Sequence, residues 1–313
     1  MKDLAASTGF RDRYLTADGR RRASVALSHP ETLWFNTGTL CNIECANCYI
    51  ASSPVNDALV YISAAEVRDF LDQIETRGWP VREIGFTGGE PFMNPEIIAM
   101  AEAALVRGFR VLILTNAMRP MMRPAMRAGL ARLQAAHGAR LSLRISLDHY
   151  SAPLHDGERG AGSFARTIEG MAWLRDAGIA MTVAGRTIWS ESESSARAGY
   201  GALFCEHGFA INALDPACTV LFPEMDEAAD VPEITTDCWS ILGKSPDDVM
   251  CASSRMVVRR KGAERPVVLA CTLLAHEPEF ELGGTLAEAE RDVHLNHPHC
   301  ARFCVLGGAS CSR

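Results

Sequence analysis

The sequence predicts an α/β protein: a partial (βα)6 TIM-like barrel with a small C-terminal cysteine-rich extension. Three observations predict it. Short strands rich in aliphatic and β-branched residues alternate with amphipathic helices from residue 31 to residue 222. The alternation breaks after Pro223. The eleven cysteines are uneven, with Cys41, Cys45 and Cys48 near the start, none until Cys205, and five from Cys251 to Cys311.

Residues 1–30 are polar and mixed and read as a lead-in. Residues 31–36 (ETLWFN) read as the first strand, running into the three-cysteine loop. Residues 63–77 read as a helix, because Ser63 and Glu66 have capping-box spacing and Val67, Phe70, Leu71 and Ile74 form one apolar stripe. The next strand is expected at 81–86 and the next helix at 95–107, stopped by Gly108. Strand–helix pairs follow at 109–114 and 124–137, at 140–147 and 163–177, and at 179–185 and 193–207, with a sixth strand at 219–222. Such alternation gives parallel neighbours with right-handed crossovers. Chemistry then gathers at the C-terminal ends of the strands. The barrel unit is placed at 31–225, and 226–313 is read as linker and C-terminal region. Within the latter, 226–237 is an acidic linker, and strands at 256–260 and 266–270 flank a turn at Lys261 and Gly262.

Composition narrows the function. Of 313 residues, 48% are hydrophobic and 22% charged, as in ordinary globular proteins. The 31 cationic and 38 anionic side chains leave a net charge of −7, which opposes a nucleic-acid-coating role. The run Arg20 to Arg22 reads as a solvated turn. No apolar run approaches the ~18 residues of a membrane span, and the first residues lack the apolar core of a signal peptide. The expected location is the cytoplasm, where thiols stay reduced. Clustered cysteines in an odd number then point to metal ligation rather than disulfides.

The segment 37–49 reads TGTLCNIECANCY. Thiolates at CxxxCxxC spacing can surround an iron–sulfur cluster. A zinc site would favour a fourth ligand, and none is obvious locally. The second strand ends in Thr87, Gly88, Gly89, Glu90 and Pro91, where two glycines permit close approach to the backbone and Glu90 offers an acceptor for an ammonium group. The third strand ends in Thr115 and Asn116, the fourth in Ser146, Leu147 and Asp148, and the fifth in Gly185 and Arg186.

CNIECANC followed by TGGEP resembles the two signatures of the radical S-adenosylmethionine (radical SAM) superfamily. The TN and SLD strand ends resemble those of the molybdenum-cofactor cyclase and peptide-modifying relatives. One departure is that the family's aromatic residue before the third cysteine is replaced by Asn47, with Tyr49 following. The resemblance implies a [4Fe-4S] cluster on Cys41, Cys45 and Cys48, with one iron left for the amino and carboxylate groups of SAM. Reductive cleavage would release a 5′-deoxyadenosyl radical that takes hydrogen from a substrate. It further implies a SAM pocket of Gly88, Gly89, Glu90, Thr115, Asn116, Ser146, Asp148 and Arg186. In it Glu90's turn meets the amino group, Ser146 the ribose or carboxylate, and Arg186 clamps the carboxylate. Asp148 could instead cap the following turn, and Arg186 could make a surface ion pair.

The C-terminal cysteines resemble the twitch and SPASM auxiliary-cluster extensions. One auxiliary [4Fe-4S] cluster is expected, with Cys251, Cys271, Cys300 and Cys304 as leading ligands and Cys311 close behind. A zinc site drawing on His294, His297 or His299 is the competing reading. A reductant such as flavodoxin or ferredoxin is implied. With no peptide-binding domain read ahead of the barrel, the substrate expectation leans to a small molecule over a peptide. A zinc-stapled, non-catalytic binding or scaffold protein is the second reading. His149, Tyr150 and His155 follow the fourth strand and could line the pocket, whereas Met118 to Met126 read mainly as packing. Cys205, Cys218 and Cys238 are isolated and read as small buried hydrophobes.

Overall fold

The capping box expected at Ser63 forms: the Ser63 hydroxyl accepts from Glu66 N at 3.2 Å and the Glu66 carboxylate accepts from Ser63 N at 2.9 Å. Such local rules recur along the chain. The computed structural model describes residues 9–223 and 230–307. Residues 1–8 of the lead-in, 226–229 of the acidic linker, and Cys311 lie outside the described residues.

A short strand β1 (Ser24–Val25) precedes the main series. That series runs β2 (Thr32–Asn36), α1 (Ala64–Arg77), β3 (Glu83–Thr87), α2 (Ile97–Leu105), β4 (Arg110–Thr115), a turn α3 (Arg119–Met122) and α4 (Pro124–His137). It continues with β5 (Leu141–Ser146), α5 (Ala152–Arg159), α6 (Ser163–Asp176), β6 (Ala180–Arg186), α7 (Glu193–His207) and β7 (Thr219–Phe222). After α8 (Cys238–Leu242) come β8 (Ser254–Val258), β9 (Val267–Leu269), β10 (Glu281–Gly283) and β11 (Val293–His294). The six expected strands and five expected helices are present within a few residues of their expected bounds. The sequence reading missed α5, whose eight residues APLHDGER are few and include Pro153 and Gly157.

Among the described residues the main sheet has nine strands in the order β10-β9-β8-β2-β3-β4-β5-β6-β7, parallel from β8 through β7. Strand β2 is buried at all five positions, as parallel strands covered on both faces are. Trp34 lies across β3 so closely that a Cβ on Gly85 would sit 2.3 Å from its ring.

The C-terminal hairpin forms as β8 and β9, antiparallel, with Met256 opposite Leu269. It is not set apart from the main sheet, because β8 pairs in parallel with β2 and covers an edge that would otherwise carry unpaired backbone groups. The lead-in is likewise tied down. Strand β1 pairs with β11, and buried Arg22 donates to Asp12 O and Leu295 O and pairs with Glu233 at 2.5 Å. No described helix is long and apolar enough to cross a membrane.

Candidate functional site

The loop after β2 is bolted to the end of β3. Thr37 N and Oγ1 both donate to Thr87 O, at 2.8 and 2.9 Å. Gly89 N donates to Gly38 O at 2.8 Å and Glu90 N to Leu40 O at 3.2 Å. The glycines are required here: Gly88 has φ +137°, and a Cβ on Gly89 would lie 2.2 Å from Leu40 O. Their first use is therefore close packing of two loops, beyond the ligand approach the sequence suggested. Cys41 N donates to Ser53 O at 3.0 Å, and Cys48 Sγ accepts from Ser52 N at 3.3 Å.

One pocket at the strand ends is lined by Cys41, Cys45 and Cys48 together with Gly88, Gly89, Thr115, Asn116, Ser146, Asp148 and Arg186. Burial pushes the Cys41 thiol up to about 12. Burial also raises Cys45, while the Arg159 charge pulls it the other way. Thiols in this state ionise only when a metal centre replaces the proton. The donor set thus fits an iron–sulfur group: three thiols, on one wall, with a fixed cation beside them.

Glu90 is the exception among the expected pocket residues. It is 1% exposed and absent from the pocket wall. Its carboxylate accepts from Thr115 Oγ1 at 2.8 Å, Asn116 N at 2.9 Å and Phe92 N at 3.1 Å. It clamps the end of β4 onto the glycine turn. Burial pushes its carboxyl up to about 7, against those three hydrogen bonds.

Asp148 does not cap a turn. Its carboxylate takes a bidentate fork from Arg159, at 2.8 and 2.9 Å, and an ion pair from Arg186 at 3.5 Å. Burial works against the Asp148 charge, but the two guanidiniums outweigh it and hold its carboxyl below the usual range. Burial likewise opposes the Arg159 charge, yet Asp148 keeps that guanidinium firmly protonated. Arg186 is buried rather than on the surface, donates to Asn47 O at 2.5 Å, and lies 4.5 Å from the Tyr49 ring centroid. Asn47 is held by the Glu158 carboxylate at 2.9 Å, and Tyr49 meets Phe222 edge-on. The aromatic wall thus comes from residue 49. Sequence reasoning missed Arg159 because it missed α5; the run HDGER ahead of Gly160 was the available signal.

His149, Tyr150 and His155 do not line the pocket. His149 Nδ1 accepts from Ser151 N at 2.9 Å, so Nε2 donates to Glu191 at 2.9 Å, and Tyr150 OH donates to the same carboxylate at 3.1 Å. His155 is fully buried against Phe164. Met118, Met121 and Met126 are buried, as packing residues are.

A second, smaller pocket brings together Cys251, Cys271, Cys300 and Cys304, which are spread over 54 residues of sequence. Its other walls include Leu274, Phe280, Val293, Leu295 and His299. Cys300 opens a π-helical turn (Cys300–Leu306) that carries Cys304. Burial pushes Cys251 up to about 11 and Cys300 well above the usual thiol range. Leu273 lines both pockets, and Thr272 lines the first. His294 and His297 are not on the wall. Among the described residues, no three His, Cys, Asp or Glu side chains are grouped tightly enough to hold a single metal ion. The isolated cysteines are not buried as expected: Cys205 is exposed and Cys218 and Cys238 half-buried. Cys205 falls off the α7 stripe formed by Ala196, Tyr200, Leu203 and Phe204.

Residues 35–189 match the family model described as the Radical SAM superfamily. The chain is 32% identical over 154 residues to the "Antilisterial bacteriocin subtilosin biosynthesis protein AlbA" of Bacillus subtilis, covering 48% of this chain and 32% of that protein. It is 32% identical over 141 residues to the "AdoMet-dependent heme synthase" of Methanosarcina barkeri, covering 44% and 37%. The matched stretch thus spans about a third of each of these relatives. The fold resembles that of Streptococcus suis SuiB solved with S-adenosylmethionine, at TM-score 0.58 and 13% identity over 82% of this chain and 63% of that one. SuiB has also been solved bound to the precursor peptide SuiA, with the same TM-score at 14% identity and the same coverage.

Proposed function

Because this chain belongs to the radical SAM superfamily, a family of enzymes that use a [4Fe-4S] cluster and SAM, we propose that Cys41, Cys45 and Cys48 hold that cluster and that the adjoining strand ends bind SAM. The observation that carries the reading is the convergence of these three thiols on one pocket with Gly88, Gly89, Thr115, Asn116, Ser146, Asp148 and Arg186. When bound, such a cluster leaves one iron for the amino and carboxylate groups of SAM and supplies the electron that breaks its S–C5′ bond to give the 5′-deoxyadenosyl radical.

The chain's own residues bind and orient. Arg186, held by Asp148 and by the Asn47 carbonyl, presents a fixed cation for the SAM carboxylate. Ser146 offers a hydroxyl to the ribose or carboxylate. Glu90 acts indirectly, by setting the positions of the glycine turn and of Asn116, rather than by taking the ammonium itself. Trp34, Ala184 and Phe222, from β2, β6 and β7, line the same pocket, which supports a sheet curled into a partial barrel. Cys251, Cys271, Cys300 and Cys304 hold a second [4Fe-4S] cluster, across the wall formed by Leu273.

The substrate is a peptide in this reading. The name of the bacteriocin-biosynthesis relative and the peptide bound to SuiB support that class over the small molecule favoured by sequence alone. A flavodoxin or ferredoxin supplies the electron.

Anaerobic purification with metal and sulfide analysis tests the assignment. Roughly eight irons per chain, two four-iron clusters, are expected, with 5′-deoxyadenosine formed from SAM under dithionite. Stoichiometric zinc with no SAM cleavage would overturn it.

A further inference from the structure

Arg255, in β8, is 1% exposed. All its described hydrogen bonds go to backbone carbonyls: Nε to Ala289 O at 2.9 Å, Nη1 to Cys251 O at 2.6 Å and Ser254 O at 2.8 Å, and Nη2 to Arg291 O at 3.3 Å. Three other buried arginines have a carboxylate: Arg22 has Glu233, Arg186 has Asp148, and Arg197 has Glu193. Arg255 forms no ion pair among the described residues. Carbonyl dipoles satisfy its hydrogen bonds but leave its charge unbalanced in a poorly solvated place. Burial depresses its pKa to about 10, and the groups that oppose this are the Cys251 thiol, Asp292 and the Cys271 thiol. Asp292 is exposed, so water screens it.

The missing negative charge is the one that Cys251 and Cys271 gain when they ligate as thiolates. The walls between them are hydrocarbon (Leu274, Phe280, Val293 and Leu295), so a fixed cation acts there with little screening. We propose that Arg255 is the counter-charge of the C-terminal cysteine site, a positioning residue that holds the Cys251 backbone and favours the reduced, more negative state of the cluster. This rests on the reading that Cys251, Cys271, Cys300 and Cys304 ligate a cluster.

The test uses the full chain with Cys41, Cys45 and Cys48 all changed to Ala, so that only the C-terminal cluster remains. It is reconstituted anaerobically, assayed for iron, and followed by EPR through a redox titration. Arg255→Gln removes the charge and Arg255→Lys keeps it. In Arg255→Gln the equilibrium constant for one-electron reduction falls at least tenfold, a midpoint lower by about 59 mV. Arg255→Lys stays near the parent. Loss of iron in Arg255→Gln alone also supports the proposal. An unmoved midpoint in Arg255→Gln, equal shifts in both variants, or loss of iron from both would overturn it, leaving Arg255 a carbonyl clamp. Failure of the underlying reading looks different: the parent with Arg255 intact then binds no iron, or zinc.

Discussion

The two cysteine pockets are built from opposite materials. Beside Cys41, Cys45 and Cys48 stands a charged wall, Asp148 gripped by Arg159 and Arg186. Around Cys251, Cys271, Cys300 and Cys304 the wall is mostly hydrocarbon, and a buried cation, Arg255, bonds the Cys251 carbonyl. A site that takes up and releases a zwitterion needs fixed charges and access. A site that keeps one group permanently needs neither, and gains from excluding water. In the proposed function, the same residue type is therefore given different roles at the two sites by its surroundings.

The sharpest way to break that division is to remove one thiol from each side. Cys45→Ala abolishes 5′-deoxyadenosine formation from SAM under dithionite, whereas Cys300→Ala leaves it measurable while the iron content falls by about half, one of two four-iron clusters. Equal loss in both variants would mean that the pockets are not separable. The charged wall is tested next. Asp148→Asn strands two buried guanidiniums and lowers stability by about 3–5 kcal/mol in denaturant titration, the scale for breaking a buried ion pair. A near-neutral result would show that water reaches that wall.

Glu90 gives a pH signature beside the charged pocket. Its folded pKa, about 7, exceeds the reference value of 4.5. A carboxyl raised on folding contributes most stability below 4.5 and loses it as pH rises to about 7. Glu90→Gln abolishes that decline, so the wild-type and variant stability curves diverge between pH 4.5 and 7; parallel curves would refute the buried-carboxyl description. The smallest expected effect is at Tyr49. Tyr49→Leu removes a cation–π contact to Arg186, about 0.5–2 kcal/mol, and weakens SAM binding several-fold in equilibrium dialysis with the iron content unchanged.

How much was readable from the chain follows the range of the interactions involved. Helix α1 was readable because its cap and stripe involve residues within a few positions of one another, and α4 and α7 matched their expected bounds for similar reasons. Helix α5 was not, since it is short, carries Pro153 and Gly157, and ends in an ion pair with Asp148, just beyond the preceding strand. Glu90 was misread for a related reason: a carboxylate beside two glycines suggests a ligand, but two of its three donors, Thr115 Oγ1 and Asn116 N, come from the end of β4, 25 and 26 residues away.

By itself the sequence determined the strand–helix alternation, the caps, the two cysteine groups and the strand ends that form the first pocket, because spacing and local chemistry encode them. Tertiary structure alone decided that β8 would cover the open edge of β2, that Arg159 would face Asp148, and that four cysteines between residues 251 and 304 would share one apolar pocket beside the Arg255 guanidinium. Those outcomes depend on which edges, charges and hydrocarbon faces remain unsatisfied once the local elements have formed.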